Sequence, residues 1–380
     1  MKNNRAGTEI AQQEGYRAFL PNALPPNPPL NMDTIIIELL SKADLAIGRL
    51  SGISEALPNP DLFVAMYVRK EAVLSSQIEG TEASLEDVLA YESGNKPGTL
   101  ASDVGEVVNY VRAMNYGLER INELPLSLRL IKEIHSQLMT GVRGQDKTPG
   151  EFRKTQNWIG PKGCTLNNAR FVPPPPGNMM QALGDLEKYM HSELTYPLLI
   201  EGGLIHCQFE TIHPFLDGNG RIGRLLITFF LCYKGILKNP LLYLSHYFKQ
   251  NRLEYYDRLM AIRDQGDFES WIKFFLKGII YVSNEAVETS HKIINLQKED
   301  KAKIEQTHKK PSKLVLFHEK LFERPIVSIK DIAGMMNVTF PTAKDICLKF
   351  VKLSILKEAT GKERNKIYVY KNYVDILKQE

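Results

Sequence analysis

Twelve consecutive positions concentrate chemistry-bearing residue types: His213-Pro-Phe-Leu-Asp-Gly-Asn-Gly-Arg-Ile-Gly-Arg224. They combine an imidazole, a carboxylate, three glycines and two guanidinium groups. Gly218-Asn-Gly220 admits backbone conformations that other residues avoid, and successive N–H groups in such a loop can converge on an anion. Arg221 opens the next helix, whose N-terminal dipole adds to the positive field. Arg221 and Arg224 are three apart and can face the same anion. Asp217 would repel a bare phosphate but suits a Mg²⁺ that bridges phosphates. His213, with an unperturbed pKa near ~6.5, can take a proton from a hydroxyl at neutral pH. The set points to phosphoryl or nucleotidyl transfer onto a hydroxyl from a Mg²⁺-bound polyphosphate.

Singly, these residues have plainer uses. A histidine at a helix end is more often structural, and Gly-Asn-Gly is usually a turn; their concentration in one span is what favours chemistry. Glu210-Thr-Ile-His213 and Glu288-Thr-Ser-His291 also match the Glu-x-x-His spacing of di-iron bundles. Pro214 and the glycines would break such a ligand helix immediately after the site, which weighs against that use.

The elements that must position the motif are mostly helical. Leu204 to Ile212 is apolar at helical spacing and stops at Pro214, leaving His213 at a helix end that faces a loop. An apolar run, Leu225 to Cys232, follows the motif. Periodicity predicts further helices over 33–50, 60–79, 84 onward, 103–121, 128–139, 179–191, 197–212, 251–264 and 268–295. Asn59-Pro60 reads as an N-cap and first turn, Ser127 as a cap, and Gly80 as a left-handed stop. Gly94 to Gly98 reads as a loop. Two β-prone pieces within Gly141–Gly177 predict a small hairpin, ended by Pro173 to Pro176. Residues 1–32 are a polar, proline-rich extended arm.

With 380 residues, 43% hydrophobic and 24% charged, the chain has room for two or three domains of ordinary globular composition. Its net charge of +4 is too small to imply nucleic-acid or membrane binding by the chain as a whole. Four scattered cysteines without a CxxC pair argue against structural zinc and for reduced thiols, hence a cytoplasmic setting. The first residues lack a signal peptide's apolar core, and no membrane-spanning stretch is present.

The twelve-residue span resembles the signature of Fic-domain adenylyltransferases, His-x-Phe-x-(Asp/Glu)-Gly-Asn-Gly-Arg-x-x-Arg, with no departure at a defined position. The resemblance implies a mainly α fold: a Fic-type helical bundle with a small β-hairpin flap. It also implies transfer of AMP from ATP, with Mg²⁺, to a Ser, Thr or Tyr hydroxyl of a protein or of the chain itself, releasing pyrophosphate. Carried over, His213 is the general base, Asp217 the Mg²⁺ ligand and Phe215 a core anchor. Gly218, Asn219 and Gly220, with Arg221, hold the α- and β-phosphates, and Arg224 binds the γ-phosphate. Ile222 and Gly223 belong to the same ATP-binding span. Asn251, Tyr255 and Tyr256 lie where similar proteins approach the adenine. The predicted hairpin, about 158–172, is similar to the flap that pins a target chain by strand addition.

Ser75-Ser-Gln-Ile-Glu79-Gly80 resembles the family's inhibitory pattern, (Ser/Thr)-x-x-x-Glu-(Gly/Asn). A Glu79 carboxylate paired with Arg224 would deny that guanidinium to the γ-phosphate, at the edge of the ATP site. Ser75, one turn earlier, would tether the carboxylate or the helix end. The resemblance therefore implies autoinhibition in cis. Two alternatives stay open: removal of AMP from modified proteins, with Glu79 orienting a water, and a nucleotide-sensing DNA-binding regulator.

The segment 328–370 reads helix, turn, helix, hairpin: a winged helix. Residues 298–380 carry 18 Lys+Arg and 11 Asp+Glu, leaving the rest of the chain at −3. DNA binding would use Phe340 to Lys352 as recognition helix and Lys362, Arg364 and Lys366 on the wing. The scarcity of Arg and Gln there favours a protein-interaction or dimerisation module; similar proteins are often homodimers. The expected organisation is an arm over 1–32, a helical region carrying the inhibitory helix over 33–102, a Fic core over 103–296, a linker over 297–312 and a winged helix over 313–380.

Overall fold

A helix apolar on nearly every side must sit in the middle of a protein, and α7 (Leu198–Ile212) is that helix, with every residue from Leu199 onward buried. The structure is a computed structural model describing residues 3–56, 60–92, 101–161, 163–307, 312–361 and 366–378. Asn59, the Gly94–Gly98 loop, Lys362 and Arg364 lie outside the described residues.

Ahead of α7 come α1 (Thr34–Ala56), α2 (Pro60–Ile78), α3 (Leu85–Glu92), α4 (Ala101–Arg120), α5 (Leu128–Met139) and α6 (Pro176–His191). After it come α8 (Asn219–Tyr233), α9 (Leu244–Gln250), α10 (Arg252–Gln265) and α11 (Phe268–Thr307). α7 packs on α6, α8, α10 and α11; α2 packs on α4, α8 and α9; α1 lies along α11. Ser127 caps α5 by accepting from the Leu130 N–H, and Gly80 ends the α2 turn at φ 98°. No helix among the described residues is long and apolar enough to cross a membrane.

Three sequence expectations change. The N-terminal arm is a three-stranded antiparallel sheet of β1 (Asn3–Asn4), β2 (Gly7–Ala11) and β3 (Arg17–Pro21), not an unpaired extension. The flap hairpin is reduced to one bridge, Ile159 to Phe171, with a 3₁₀ turn at Leu166–Asn168. Its outer edge is taken by the N-terminal sheet, where the Phe19 N–H donates to the Val172 carbonyl at 2.9 Å. The predicted linker is helical through Thr307, because Ile293, Leu296, Asp300 and Ile304 keep a buried stripe inside the charged sequence. At ~1.5 Å per residue the 40-residue α11 runs about 60 Å and reaches into the C-terminal segment.

That segment contains α12 (Ser312–Glu323), β4 (Ile326–Ser328), α13 (Ile329–Met336), α14 (Phe340–Lys352), β5 (Lys357–Glu358), β6 (Ile367–Val369) and α15 (Lys371–Lys378). Its sheet is antiparallel in the order β4-β6-β5. Ser328 and Asp331 form a reciprocal capping box on α13. The segment is anchored on α11 by Tyr370, whose hydroxyl donates to buried Asp300 at 2.8 Å. α12 also packs on α2, and Arg324 reaches the Glu92 carbonyl at 3.5 Å.

Candidate active site

Pro214 stops α7, and His213 adopts a left-handed conformation, φ 50° and ψ 61°. A non-glycine residue held there stores about 1–2 kcal/mol of strain, which the surroundings must offset. They do so through the backbone. The His213 N–H donates to Phe209, and its carbonyl accepts from Arg153 Nε at 3.0 Å and Asn157 Nδ2 at 3.2 Å. Arg153 is itself buried and also donates to Pro174 O; burial pushes its pKa down to about 10.

Phe215 is wholly buried and stacks on His135, rings parallel with centroids 3.7 Å apart. His135 Nδ1 accepts from the Gly150 N–H at 2.8 Å, so Nε2 carries the proton and donates to the Asp217 carbonyl at 3.0 Å. Burial lowers its pKa to about 4. The side chain of Asn219 closes the loop: Oδ1 accepts from Phe215 N and Nδ2 donates to Phe215 O, both at 2.8 Å. Gly218, at φ 79°, caps α8. The first-turn N–H groups of α8 have no acceptor within their own helix.

Arg224 is buried against α2. Its Nε donates to Ser75 Oγ at 2.8 Å, and its Nη2 to Ser75 O at 3.0 Å and Glu79 Oε1 at 2.7 Å. Burial alone would lower the Arg224 pKa, but Glu79 holds it above the usual value. Burial likewise pushes the Glu79 carboxyl up; Arg224, with Arg221 and His213, outweighs this and the net shift is downward. A Cβ on residue 220 would stand 2.3 Å from Glu79 Oε1 and 3.0 Å from Arg224 Nη1, so a larger residue there would push on the ion pair.

These groups open onto a cavity of about 470 Å³. His213, Gly220, Arg224 and Glu79 line it, facing Tyr255 and Tyr256 on α10 and Trp158 to Pro161 on the flap. Several residues expected at the nucleotide point elsewhere. The Arg221 guanidinium is buried against Glu106 at 3.0 Å, with Asp217 at 3.6 Å. Asn251 donates its side-chain amide to Tyr247 O between α9 and α10 and does not line the cavity. Ile222 is core, and Gly223 leaves room for the Glu210 carboxyl. Ser75 is buried and meets Arg224 directly rather than Glu79.

The sequence reading missed four groups. Glu106 neutralises Arg221; Arg153 and Asn157 fix the His213 backbone; Arg263 lines the cavity and donates to Glu210 O at 2.9 Å. None carries a local signal. Glu210 had one, its i,i+3 spacing from His213, which a metal site would equally have used. Among the described residues no cluster of three or more His, Cys, Asp or Glu is placed to hold a metal.

Residues 37–119 match the Fic/DOC family N-terminal domain and residues 125–231 the Fic/DOC family domain. The chain belongs to the Fic/DOC family. Over 180 residues it is 29% identical to a protein adenylyltransferase Fic of Drosophila grimshawi, covering 47% of this chain and 34% of that protein. Over 181 residues it is 28% identical to a probable protein adenylyltransferase of Aquifex aeolicus, covering 46% of this chain and 51% of that one. The chain thus spans a third to a half of the length of these relatives. In fold it is similar to a Fic family protein from Desulfovibrio desulfuricans, with a TM-score of 0.59 at 19% identity, over 90% of this chain and 97% of the other. A Fic domain containing signaling protein from Bacteroides thetaiotaomicron matches at 0.50 and 18% identity, over 68% and 97%.

Proposed function

We propose that the chain is a protein adenylyltransferase held inactive by its own α2 helix. One observation carries the reading: His213 and Arg224 line one cavity, and Arg224 is held there by Glu79. ATP would lie along the N-terminus of α8, its phosphates on the free N–H groups of Gly220 and its neighbours. The hydroxyl oxygen of a Ser, Thr or Tyr on the target bonds to the α-phosphorus as the bond to pyrophosphate breaks. His213 takes the hydroxyl proton. Tyr255, Tyr256, Leu259 and Met260 supply apolar surface for the base. The flap edge at Trp158 to Pro161 offers backbone groups for an extended target segment.

Asp217 fits a Mg²⁺ role. Its Oδ1 accepts from the Gly218 N–H, its side chain is 43% exposed, and Mg²⁺ commonly takes only one or two carboxylates beside phosphates and water. Bound there, Mg²⁺ would neutralise phosphate charge. Arg221 acts at one remove, since Glu106 and not phosphate meets its guanidinium; it supports Asp217 and the loop.

While Glu79 holds Arg224, the γ-phosphate has no guanidinium to orient it. Labelled ATP tests this: His213→Ala is expected to abolish AMP transfer while keeping ATP binding, and Glu79→Gly to raise transfer or self-modification. A second reading, hydrolytic removal of AMP, is favoured by one feature: the Glu79 side chain is 32% exposed and lines the cavity beside His213, where it could orient a water. In that case Glu79→Gly loses hydrolysis of an adenylylated protein.

The C-terminal segment is read as a winged helix used for protein contacts. The exposed face of α14 sets Phe340 and Leu348 beside Lys344 and Lys352, a mixture better suited to a protein surface than to base edges. Salt-sensitive, sequence-selective DNA binding in a gel-shift screen would overturn that part.

A further inference from the structure

Two buried polar atoms at the end of α7 have no hydrogen-bond partner among the described residues: Glu210 Oε1 and His213 Nδ1. Buried polar groups are nearly always paired, so two orphans on adjacent side chains call for an explanation. They sit on one helical face, i and i+3, and Glu210 Oε2 lies 3.9 Å from His213 Nδ1. That separation is beyond a hydrogen bond, and a small turn of either side chain would close it; catalytic hydrogen bonds often tighten only when substrate binds.

We propose that Glu210 is the positioning residue for His213: its carboxylate takes the Nδ1–H of the imidazole and so leaves Nε2 as the nitrogen that accepts the hydroxyl proton. Glu210 keeps its own proton balance unchanged. The proton from the target hydroxyl stays on Nε2, and the negative carboxylate offsets the imidazolium formed. The catalytic consequence rests on the AMP-transfer reading; the contact itself does not.

Packing supports the assignment. A Cβ on residue 223 would stand 2.3 Å from Glu210 Oε1, so α8 yields space to this carboxyl. The charges around the pair bear on it as well. Arg263 from α10 and Arg153 ahead of the flap lower the basicity of His213, adding to burial, and its pKa falls to about 3. The Glu210 backbone carbonyl and then Glu79, just past α2, raise it, but the carbonyl carries no full charge and the Glu79 carboxylate is committed to Arg224. Glu210 is pushed up to about 7 by burial, with Arg224 and Arg263 opposing and Glu79 reinforcing the rise. A carboxylate accepting from Nδ1 would raise the basicity of an imidazole in this setting.

The test uses the full chain carrying Glu79→Gly, with Glu210→Gln and Glu210→Ala added. Nitrogen-15 NMR of the His213 imidazole reads the tautomer, and labelled ATP reads kcat and KM. Expected are an Nδ1–H tautomer in the parent and in Glu210→Gln, and its loss in Glu210→Ala. A kcat lower by roughly tenfold in Glu210→Gln and about 100-fold in Glu210→Ala should follow, the scale of a general-base contribution, with KM for ATP little changed. An unchanged tautomer in Glu210→Ala overturns the proposal. So does a loss expressed in KM for ATP with kcat intact. Should Glu210→Ala not fold, the near-isosteric Glu210→Gln decides: a kcat equal to the parent's refutes the role. If the parent transfers no AMP, the AMP-transfer reading fails, while the tautomer still decides the contact.

Discussion

Arg224 Nη2 lies 2.7 Å from Glu79 Oε1, joining the turn just past α2 to the second turn of α8 across 145 positions of sequence. The same guanidinium is held on its other side by the Ser75 hydroxyl and carbonyl. Among the described residues, the side-chain hydrogen bonds of Arg224 therefore go to the last turn of α2 and the residue just past it. Under the proposed function, that turn controls whether a phosphate can reach Arg224.

Releasing the pair should release activity by a graded amount. A charge-assisted hydrogen bond contributes about 1.5–3 kcal/mol, so Glu79→Gly should raise AMP transfer roughly 10- to 100-fold. Ser75→Ala removes a neutral partner and leaves the Ser75 carbonyl in place, so its rise should stay below about tenfold. Initial rates with labelled ATP measure both. Equal rates in parent and Glu79→Gly would count against α2 as the inhibitor.

The Arg221–Glu106 pair should matter to stability first. Glu106→Ala leaves a guanidinium buried without its main counter-charge, which typically costs about 3–5 kcal/mol. Asp217, at 3.6 Å, offsets part of this. Urea denaturation should show a large loss for Glu106→Ala and a smaller one for Glu106→Gln. A neutral result would return Arg221 to a directly phosphate-binding role.

His135 should uncouple loop geometry from packing. His135→Ala removes the ring stacked on Phe215 and is expected to cost about 3 kcal/mol, as for other large-to-small core changes. His135→Phe keeps an aromatic ring against Phe215 but loses the bonds to Gly150 N and Asp217 O. It should retain most of the melting temperature and lose most AMP transfer. Retention of both would show that the loop holds without His135.

Buried titrating groups set a pH window for folding. Burial pushes His135 and His318 down to about 4, and His206 and His213 down to about 3. The unfolded chain protonates all four near ~6.5 while the folded chain does not, so falling pH below that value favours unfolding. Glu71 and Glu210, raised to about 7 by burial, act in the opposite sense. The folded state holds their protons between about 7 and ~4.5, so acidification across that window adds stability. Four imidazoles outweigh two carboxyls below about 6.5. Calorimetry should therefore find the highest melting temperature near pH 6.5–7, falling toward pH 4.5.

Much of the site was readable without coordinates because its determinants are local. Pro214 ends α7 through its own ring, Gly218 caps α8 through its own φ, and Ser127 and Ser328 cap helices through atoms three residues away. Residues 75–80 and 213–224 are readable as strings, so the resemblance alone pairs Glu79 with Arg224. The helix pattern was readable for the same reason, since amphipathic periodicity is a property of neighbours.

Whatever depended on the far side of a contact was not. Arg221 turns from phosphate to Glu106, 115 residues away, because a buried guanidinium needs a counter-charge more than a helix dipole can supply. Asn251 spends its amide on Tyr247, one turn back. The charged run after Ile293 stays helical only because Leu296, Asp300 and Ile304 have a C-terminal segment to pack on. β1 to β3 exist as strands because backbone donors in a polar arm found acceptors in each other and in the flap. Local hydrogen bonding and periodicity can be written in a string of residues; burial, and the counter-charges it demands, exist only once distant segments meet.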